Sequence, residues 1–271
     1  MKKIAIIVPA INCWKKYSEG CIDSIQTAMV YAKAHDIECR ILFIDNASTD
    51  ETKTEAGKRV SERFCHQRNE ERWGFQKSVN FGVNDAWERG FDYALVCNND
   101  ILLHPEAVWR LVEGFDKERE YEVGMVTCMD VRGETDPGAL PQMSTKEKEE
   151  CPEAKHPNFS AFMLSRECWD TIGEFDELYA PAYFEDNDFH YRMKLADIAA
   201  IVYPPALFYH FGSGTQNNAN ENGQPMVPGP MFENNRAFYV KKWGGLPDHE
   251  TFTTPYNDPT KDIKATKQGI S

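Results

Sequence analysis

Long apolar runs, paired cysteines and an excess of basic charge are all missing from this sequence. No apolar stretch approaches the roughly 20 residues that a membrane-spanning helix needs, so we expect no transmembrane segment. The 8 cysteines are scattered without a Cys-x-x-Cys pair, which favours reduced thiols and a cytoplasmic location. The formal net charge of −13 argues against nonspecific binding to nucleic acid or to an anionic membrane surface.

Glycine-rich loops that bind nucleotide cofactors are missing as well. The glycines form neither a G-x-G-x-x-G motif nor a Walker loop, which argues against dinucleotide-dependent dehydrogenases and P-loop enzymes. A signal peptide fits the N-terminus poorly, because the apolar run at 4–8 is short. Asn12, Trp14 and Lys15 follow it where a small-residue cleavage site would lie. We interpret this run as a first buried strand.

Strand and helix patterns alternate over about the first 115 residues. Short apolar runs at 4–8, 39–44 and 95–97 predict buried strands, and apolar residues at helical spacing lie between them. This alternation is typical of a Rossmann-like three-layer α/β/α sandwich around a mostly parallel sheet. The length favours a single domain, which we place at 1–243, with a polar tail at 244–271.

The second half of the sequence is less regular. Residues 130–157 are polar and rich in Glu, Lys and Pro, which predicts an insertion or a mobile loop beside the site. The Gly-, Asn- and Pro-rich run at 212–230 predicts a lid over the site. The remaining patterns predict strands at 160–164 and 198–202, the latter ended by Pro204 and Pro205, and helices at 166–172, from 184 onward, and at 232–243.

Polar side chains follow two of the predicted strands. Asp45 and Asn46 come after the strand at 39–44, and Asn98, Asn99 and Asp100 after the strand at 95–97. Ligands bind at the carboxyl ends of the strands in an open α/β sheet. One or two carboxylates, together with substrate phosphates, are the usual ligands of Mg²⁺. The alternative is that the Asn-Asn-Asp run only caps the next turn.

Five segments in order carry recognisable motifs. They are 45–50 (DNASTD); Trp73-Gly74-Phe75 with Asn80 and Gly82; Asn98-Asn99-Asp100; Gly173-Glu174-Phe175-Asp176; and 184–188 with Arg192. They resemble the motifs of family 2 glycosyltransferases with the GT-A fold, which include D-N-x-S-x-D, N-x-G-F…N-x-G, the N-N-D form of D-x-D, and E-D-x-D-x-x-x-R. The resemblance covers roughly residues 3–243, and five motifs in order are far more specific than any one.

The resemblance implies an inverting, metal-dependent transferase of the hexosyltransferase type. It would move a sugar from a nucleotide-diphosphate sugar, with UDP as our first choice, to an acceptor hydroxyl. Residues 1–115 would bind the nucleotide sugar, and 116–243 would bind the acceptor and carry the catalytic group. The acceptor stays open between a glycan, a lipid-linked sugar, a protein side chain and a hydroxylated nucleobase. The alternative function is a nucleotide-sugar or glycan-binding protein on the same scaffold that has lost turnover.

The same resemblance assigns the metal ligands. Asp100 is the first ligand, Asn98 lies nearby and acts through water, and His210 after the last strand completes the site. Imidazole suits Mn²⁺ better than Mg²⁺, so we expect Mn²⁺, with Mg²⁺ as the second choice. A lone histidine beside aromatic residues would otherwise be structural.

The donor residues follow from family position as well. Asp45 would contact the base, with Pro9 and Ala10 in the same pocket, and Arg68 would lie near the diphosphate. The alternative for Asp45 is a turn carboxylate. The other residues that we place in the donor site are Asn46, Gly74, Phe75, Asn80, Asn98 and Asn99.

Glu185 and Asp186 are the candidate catalytic residues. They cannot act as the acid–base pair of a glycoside hydrolase, because adjacent residues on a helix do not face each other. A single displacement needs only one carboxylate, which takes the proton of the acceptor hydroxyl. Family position makes Asp186 that base and Glu185 a residue that binds the acceptor or positions the loop. Asp188 and Arg192 have the spacing of a helical ion pair. The alternative for this acidic run is a solvated helix N-terminus.

Overall fold

The computed structural model describes residues 1–145, 153–212 and 229–264. An eight-stranded sheet is the centre of the molecule, with the strand order β3-β2-β1-β4-β7-β6-β8-β5. The strands are β1 Lys2–Ala10, β2 Ile37–Asp45, β3 Phe64–Arg68, β4 Tyr93–Cys97, β5 Ile101–Leu103, β6 Val123–Asp130, β7 Ala161–Ser165 and β8 Ala199–His210. The helices are α1 Glu19–Ala34, α2 Thr52–Lys58, α3 Phe75–Glu88, α4 Ala107–Asp116, α5 Arg166–Ile172, α6 Glu185–Leu195 and α7 Gly229–Trp243.

Helices cover both faces of this sheet. In β1, Ile4, Ile6 and Val8 pack into the core on the side of α1 and α4, whereas Ala5 and Ile7 pack into the core on the side of α3. Successive side chains of a strand point to opposite faces, so a strand buried on both sides is a continuous apolar run. The predicted three-layer α/β sandwich is therefore confirmed. None of the helices in the described ranges combines the length and the apolarity needed to cross a bilayer.

The sheet is parallel in its first half and mixed in its second. The neighbours β3, β2, β1 and β4 all run in the same direction, and β6 is parallel to β8. β7 is antiparallel to both β4 and β6, and β5 is antiparallel to β8. The mostly parallel sheet that we expected is present, with β7 antiparallel inside it, between β4 and β6, and β5 antiparallel at its edge.

One predicted element is wrong in a way that matters for the site. The last strand does not end before Pro204 and Pro205 but continues through them to His210. The register between β6 and β8 shifts at this point, so that the prolines need not donate ladder hydrogen bonds. The continued strand then pairs with β5, and Ile101 lies opposite His210.

Three predicted segments are only partly within the described residues. The loop at 130–157 contains a 3₁₀ turn, Pro137–Gln142, but 146–152 lie outside the described part. The proposed lid at 212–230 falls almost wholly outside it, since 213–228 are not described. Part of the segment predicted as a tail packs on the domain. The backbone N–H groups of Thr251 and Phe252 donate to the carbonyl of Trp243, and the Tyr191 hydroxyl donates to the carbonyl of Phe252.

Candidate active site

A cavity of about 410 Å³ opens at the edge of the sheet where β1, β4 and β8 end. Two pairs of predicted functional residues line it, namely Asp100 with His210 and Glu185 with Asp186. The predicted residues that line it are Pro9, Ala10, Asn46, Phe75, Asn98, Asn99, Asp100, Glu185, Asp186 and His210. Strand ends, the loop after β4 and the start of α6 therefore contribute to one concave site, as expected at the carboxyl edge of an α/β sheet.

Asp45 and Arg68 do not line the cavity and instead bind each other. Arg68 Nη1 donates to Asp45 Oδ2 at 2.5 Å, and the backbone N–H of Ser48 donates to Oδ1 at 2.8 Å. Burial alone would raise the pKa of Asp45, but hydrogen bonds from His66, Ser48 and Arg68 outweigh it and lower the pKa to about 2. This is the geometry of a turn carboxylate. The base contact assigned to Asp45 stays a prediction.

Gly74 and Asn80 also lie beside the cavity rather than in its wall. A Cβ on Gly74 would lie 2.8 Å from Gln76 Oε1 and 3.3 Å from the Cβ of Ala180, so a larger residue here would displace the Gln76 side chain. Asn80 Nδ2 donates to the carbonyl of Phe175, and Asn80 Oδ1 accepts from the N–H of Phe175, both at 2.9 Å. Both residues therefore support the chain segments behind the cavity.

Asp100 and His210 are brought together by the pairing of β5 with β8. The N–H of Phe211 donates to the carbonyl of Asp100 at 3.0 Å, which fixes the two chain segments next to each other. His210 Nε2 lies 3.3 Å from Asp100 Oδ1, and His210 Nδ1 lies 3.4 Å from Ser160 Oγ. His210 Nε2 is buried and has no hydrogen-bond partner among the described residues. In the tautomer that carries its proton on Nδ1, the ring offers the lone pair of Nε2 to a ligand.

This pair fits a divalent cation that shares its ligands with substrate. No group of three or more His, Cys, Asp or Glu side chains in the described residues could hold a metal ion alone. Mg²⁺ and Mn²⁺ are commonly bound by one or two protein ligands, with substrate phosphates completing the shell. The carboxylate of Asp100 and the buried Nε2 of His210 supply such a partial set.

Glu185 and Asp186 occupy the first turn of α6. Tyr183 and Phe184, directly before it, have φ values of 78° and 71°, which are unusual for residues other than glycine. This turn brings both residues into the wall of the cavity. Glu185 and Asp188 are buried, so the run is not a solvated helix terminus.

The two adjacent carboxyl groups are expected to differ in charge. Burial, followed by the neighbouring charge of Asp186, raises the pKa of Glu185 well above its ordinary value. Burial also raises the pKa of Asp186, opposed by the N–H of Asn187, which donates to Asp186 Oδ1 at 2.8 Å. Neighbouring buried carboxyls do not ionise together easily, so we expect the pair to hold one proton, and we assign it to Glu185 because the charge of Asp186 adds to burial in raising the pKa of Glu185. Two buried oxygens nearby, Glu185 Oε2 and Gln76 Oε1, have no hydrogen-bond partner within the part of the chain that the structure describes.

Several lining residues were missed by the sequence reading. They are Ile11, Arg72, Trp73, Pro157, Asn158, Phe159, Ser160, Pro181, Ala182 and Tyr183. Trp73 could have been found, because it belongs to the W-G-F segment that resembles a family motif. Residues 157–160 and 181–183 carry no such signal, since loops reach the cavity through long-range packing. Arg72 lies partly buried in the cavity wall. This burial removes water from its guanidinium group and lowers its pKa.

Comparisons with known proteins agree with this architecture. TarS of S. aureus (1–349) in complex with UDP-GlcNAc superposes with a TM-score of 0.61 at 18% identity, over 89% of this chain and 66% of that one. GalNAc-T7 with UDP, GalNAc and Mn²⁺ superposes with a TM-score of 0.61 at 13% identity, over 89% of this chain and 48% of that one. The mannosyltransferase PcManGT of Pyrobaculum calidifontis, with GDP-Man and Mn²⁺, superposes with a TM-score of 0.55 at 15% identity, over 88% of this chain and 61% of that one. At these identities the likeness shows the fold, which is GT-A.

Sequence comparison supplies the family. A galactofuranosyl glycosyltransferase of Leishmania donovani is 34% identical over 102 residues, which are 37% of this chain and 23% of that protein. This chain therefore matches less than a quarter of that relative's length. The sequence model of Glycosyl transferase family 2 matches residues 5–172, which is more than half of the chain. The chain belongs to glycosyl transferase family 2.

Proposed function

We propose that this chain is an inverting, metal-dependent glycosyltransferase that uses a nucleotide-diphosphate sugar. The observation that carries the proposal is the single cavity lined by Asp100 and His210 and also by Glu185 and Asp186. A cation site for a diphosphate and a carboxylate for an acceptor hydroxyl are the two parts that such a transfer needs. The UDP-GlcNAc held by TarS and the UDP and Mn²⁺ held by GalNAc-T7 support UDP and Mn²⁺ as first choices.

The donor end of the cavity is formed by the strand ends. Pro9, Ala10 and Asn46 would line the nucleotide, and Asn98 and Asn99 lie in the loop that carries Asp100. Asp100 and His210 would hold the divalent cation, which when bound neutralises negative charge on the departing diphosphate.

Asp186 is the proposed general base. In its ionised form it accepts the proton of the acceptor hydroxyl while that oxygen attacks the anomeric carbon. Its pKa is raised by burial, which makes it a stronger base than an exposed aspartate. A single in-line displacement inverts the anomeric configuration. Neutral Glu185 would stand beside it as a hydrogen-bond donor to the acceptor or to Gln76.

The acceptor class stays open between a glycan, a lipid-linked sugar, a protein side chain and a hydroxylated nucleobase. The donor can be tested without it, because glycosyltransferases of this type can be assayed by slow transfer to water. UDP-, GDP- and dTDP-sugars are offered with Mn²⁺ or with EDTA, and release of nucleoside diphosphate is measured. We expect release from UDP-sugars with Mn²⁺ and none with EDTA. Tight donor binding without turnover, with or without a panel of acceptors, would favour the binding-protein alternative.

Glu185→Gln tests the neutral state of Glu185. We expect the rate to stay within about tenfold of the unaltered chain, because an amide has the shape of the neutral acid and can donate to Gln76 Oε1. Steady-state rates with saturating donor measure this. The acid limb of the pH profile should stay in place, since the proton on Glu185 is already present throughout it.

Glu185→Ala is the comparison for this variant. It removes the donor group and leaves space in the wall, so it should lose considerably more activity than Glu185→Gln. If the Gln and Ala variants are equally impaired, Glu185 acts as an ionised carboxylate, and the assignment of the proton to it is wrong.

A further inference from the structure

The C-terminal helix α7 contacts the chain directly before the catalytic residues. Asn235 in this helix is buried, and its Nδ2 lies within hydrogen-bond distance of three backbone carbonyls. They belong to Tyr179 at 2.7 Å, Ala182 at 2.9 Å and Tyr183 at 3.2 Å. One side-chain amide therefore donates to both ends of a single turn of chain and helps to satisfy its backbone carbonyls.

This turn, residues 179–184, forms part of the cavity wall and leads into α6. Pro181, Ala182 and Tyr183 line the cavity, and Asp186 follows in the first turn of the helix. The positive φ values of Tyr183 and Phe184 belong to a conformation that persists only where the surroundings hold it in place. The contact with Asn235 is one such restraint.

A second restraint comes from the other side of the turn. Gln76, near the start of α3, donates from Nε2 to the same Tyr179 carbonyl at 3.0 Å. The side chain of Gln76 also lies close to that of Glu185, which lines the cavity. The Tyr179 carbonyl is thus shared by donors from α3 and α7, which leaves the turn little freedom at its first residue.

Helix α7 is itself fixed relative to α6. Lys242 Nζ lies 2.6 Å from Asp188 Oδ1 and 2.8 Å from Asp176 Oδ2, and Trp243 Nε1 donates to Asp188 Oδ1 at 2.8 Å. The predicted ion pair of Arg192 with Asp188 is present at 2.9 Å, and both side chains are fully buried. Buried and paired charges of this kind hold one geometry, because breaking a single partner leaves an uncompensated charge.

We infer that Asn235 is a positioning residue that sets the place of Asp186 in the cavity through the turn 179–184. The inference rests on the proposed function, since it takes Asp186 as the base. Asn235 does not line the cavity, so it acts through the turn rather than on substrate. It also lies outside the five segments that resemble family motifs, so none of those motifs points to it.

Asn235→Ala tests the inference, with Asn235→Asp as a second variant that keeps the shape and points a carboxylate at the carbonyls. The neighbouring residue Asn234 is exposed on the same helix, so Asn234→Ala and Asn234→Asp are matched controls. UDP binding with Mn²⁺ is measured by calorimetry, and its stoichiometry counts the folded sites. Rates of transfer per site are then compared at saturating donor.

We expect Asn235→Ala to lower kcat per site by roughly 10- to 100-fold, because a displacement of about 1 Å at a catalytic group can cost this much. The dissociation constant for UDP should change less than about threefold, since the donor end of the cavity lies on the strand ends. The Asn234 variants should match the unaltered chain. If Asn235→Asp does not fold, the result for Asn235→Ala alone decides whether Asn235 positions Asp186.

Two outcomes would overturn the inference. Either kcat per site stays within about twofold in Asn235→Ala, or kcat and UDP affinity fall together, which would indicate a general structural role. Asp186→Asn is measured in parallel to separate the two proposals. If it is inactive while Asn235→Ala is fully active, only the positioning role fails. If Asp186→Asn is fully active, the proposed base is wrong, and the inference fails with it.

Discussion

Asp186→Asn should transfer sugar roughly 10²- to 10⁴-fold more slowly than the unaltered chain, which is the usual contribution of a general base. The amide keeps the shape of the side chain and can still accept the Asn187 N–H, but it cannot take a proton. Donor affinity should barely change, because the lost interaction belongs to the transition state. Rates at saturating donor and calorimetry with the nucleotide diphosphate measure the two quantities. Asp170→Asn, an exposed change of the same kind, is the control.

The pH profile and the product give two further checks on Asp186. A base works in its ionised form, so kcat should fall as the pH drops through the pKa of Asp186. Burial raises that pKa, so the fall should begin above the ordinary aspartate value of 3.8. An α-linked donor should give a β-linked product by NMR. A retained linkage, or an Asp186→Asn variant with near-normal turnover, would contradict the assignment.

Asp100→Ala should abolish metal-dependent binding of the nucleotide diphosphate. A diphosphate and the carboxylates of this cavity repel each other, and a divalent cation bound between them makes their proximity favourable. Calorimetry of UDP with Mn²⁺ and with EDTA gives the comparison, and Asp170→Ala serves as the control. A circular dichroism spectrum identical to that of the unaltered chain shows that the fold is retained. Equal UDP affinity with Mn²⁺ and with EDTA in the unaltered chain would refute a metal-dependent donor site.

His210→Ala separates a ligand role from a structural one. If the buried Nε2 binds the cation, the variant should lose most of the preference for Mn²⁺ over Mg²⁺, because imidazole favours Mn²⁺. If the ring is only structural, the variant will lower the melting temperature and leave the metal preference as it was.

Much of the fold follows from local sequence signals. Short apolar runs that end in polar residues marked β1, β2 and β4, and helical spacing marked α1 and α3. The helix predicted at 166–172 matches α5, because Gly173 with φ 79° ends it and Ser165 accepts from the N–H of Cys168 at its start. Parallel strands buried on both faces leave a clear pattern, so this half of the sheet was predictable.

The strand through Pro204 and Pro205 was not predictable from the sequence alone. Proline normally ends an internal strand, and the register shift that tolerates it depends on β6, a strand distant in sequence. The same limit applies to the site. Asp100 and Asp186 could be named from motifs, whereas the wall at 157–160 and the Asn235 contact depend on tertiary packing. The ion pair of Asp45 with Arg68 likewise joins two strand ends, and no single segment indicates it.

The pairing of β5 with β8 also has a consequence for the order of folding. It joins strands that are far apart in the chain, and closing such a long loop costs entropy before any contact is gained. Non-local pairings of this kind slow folding. Asp100 and His210 become neighbours through this pairing, so the proposed cation site requires that the two halves of the chain have joined. We therefore expect any change that breaks this pairing to remove donor binding as well.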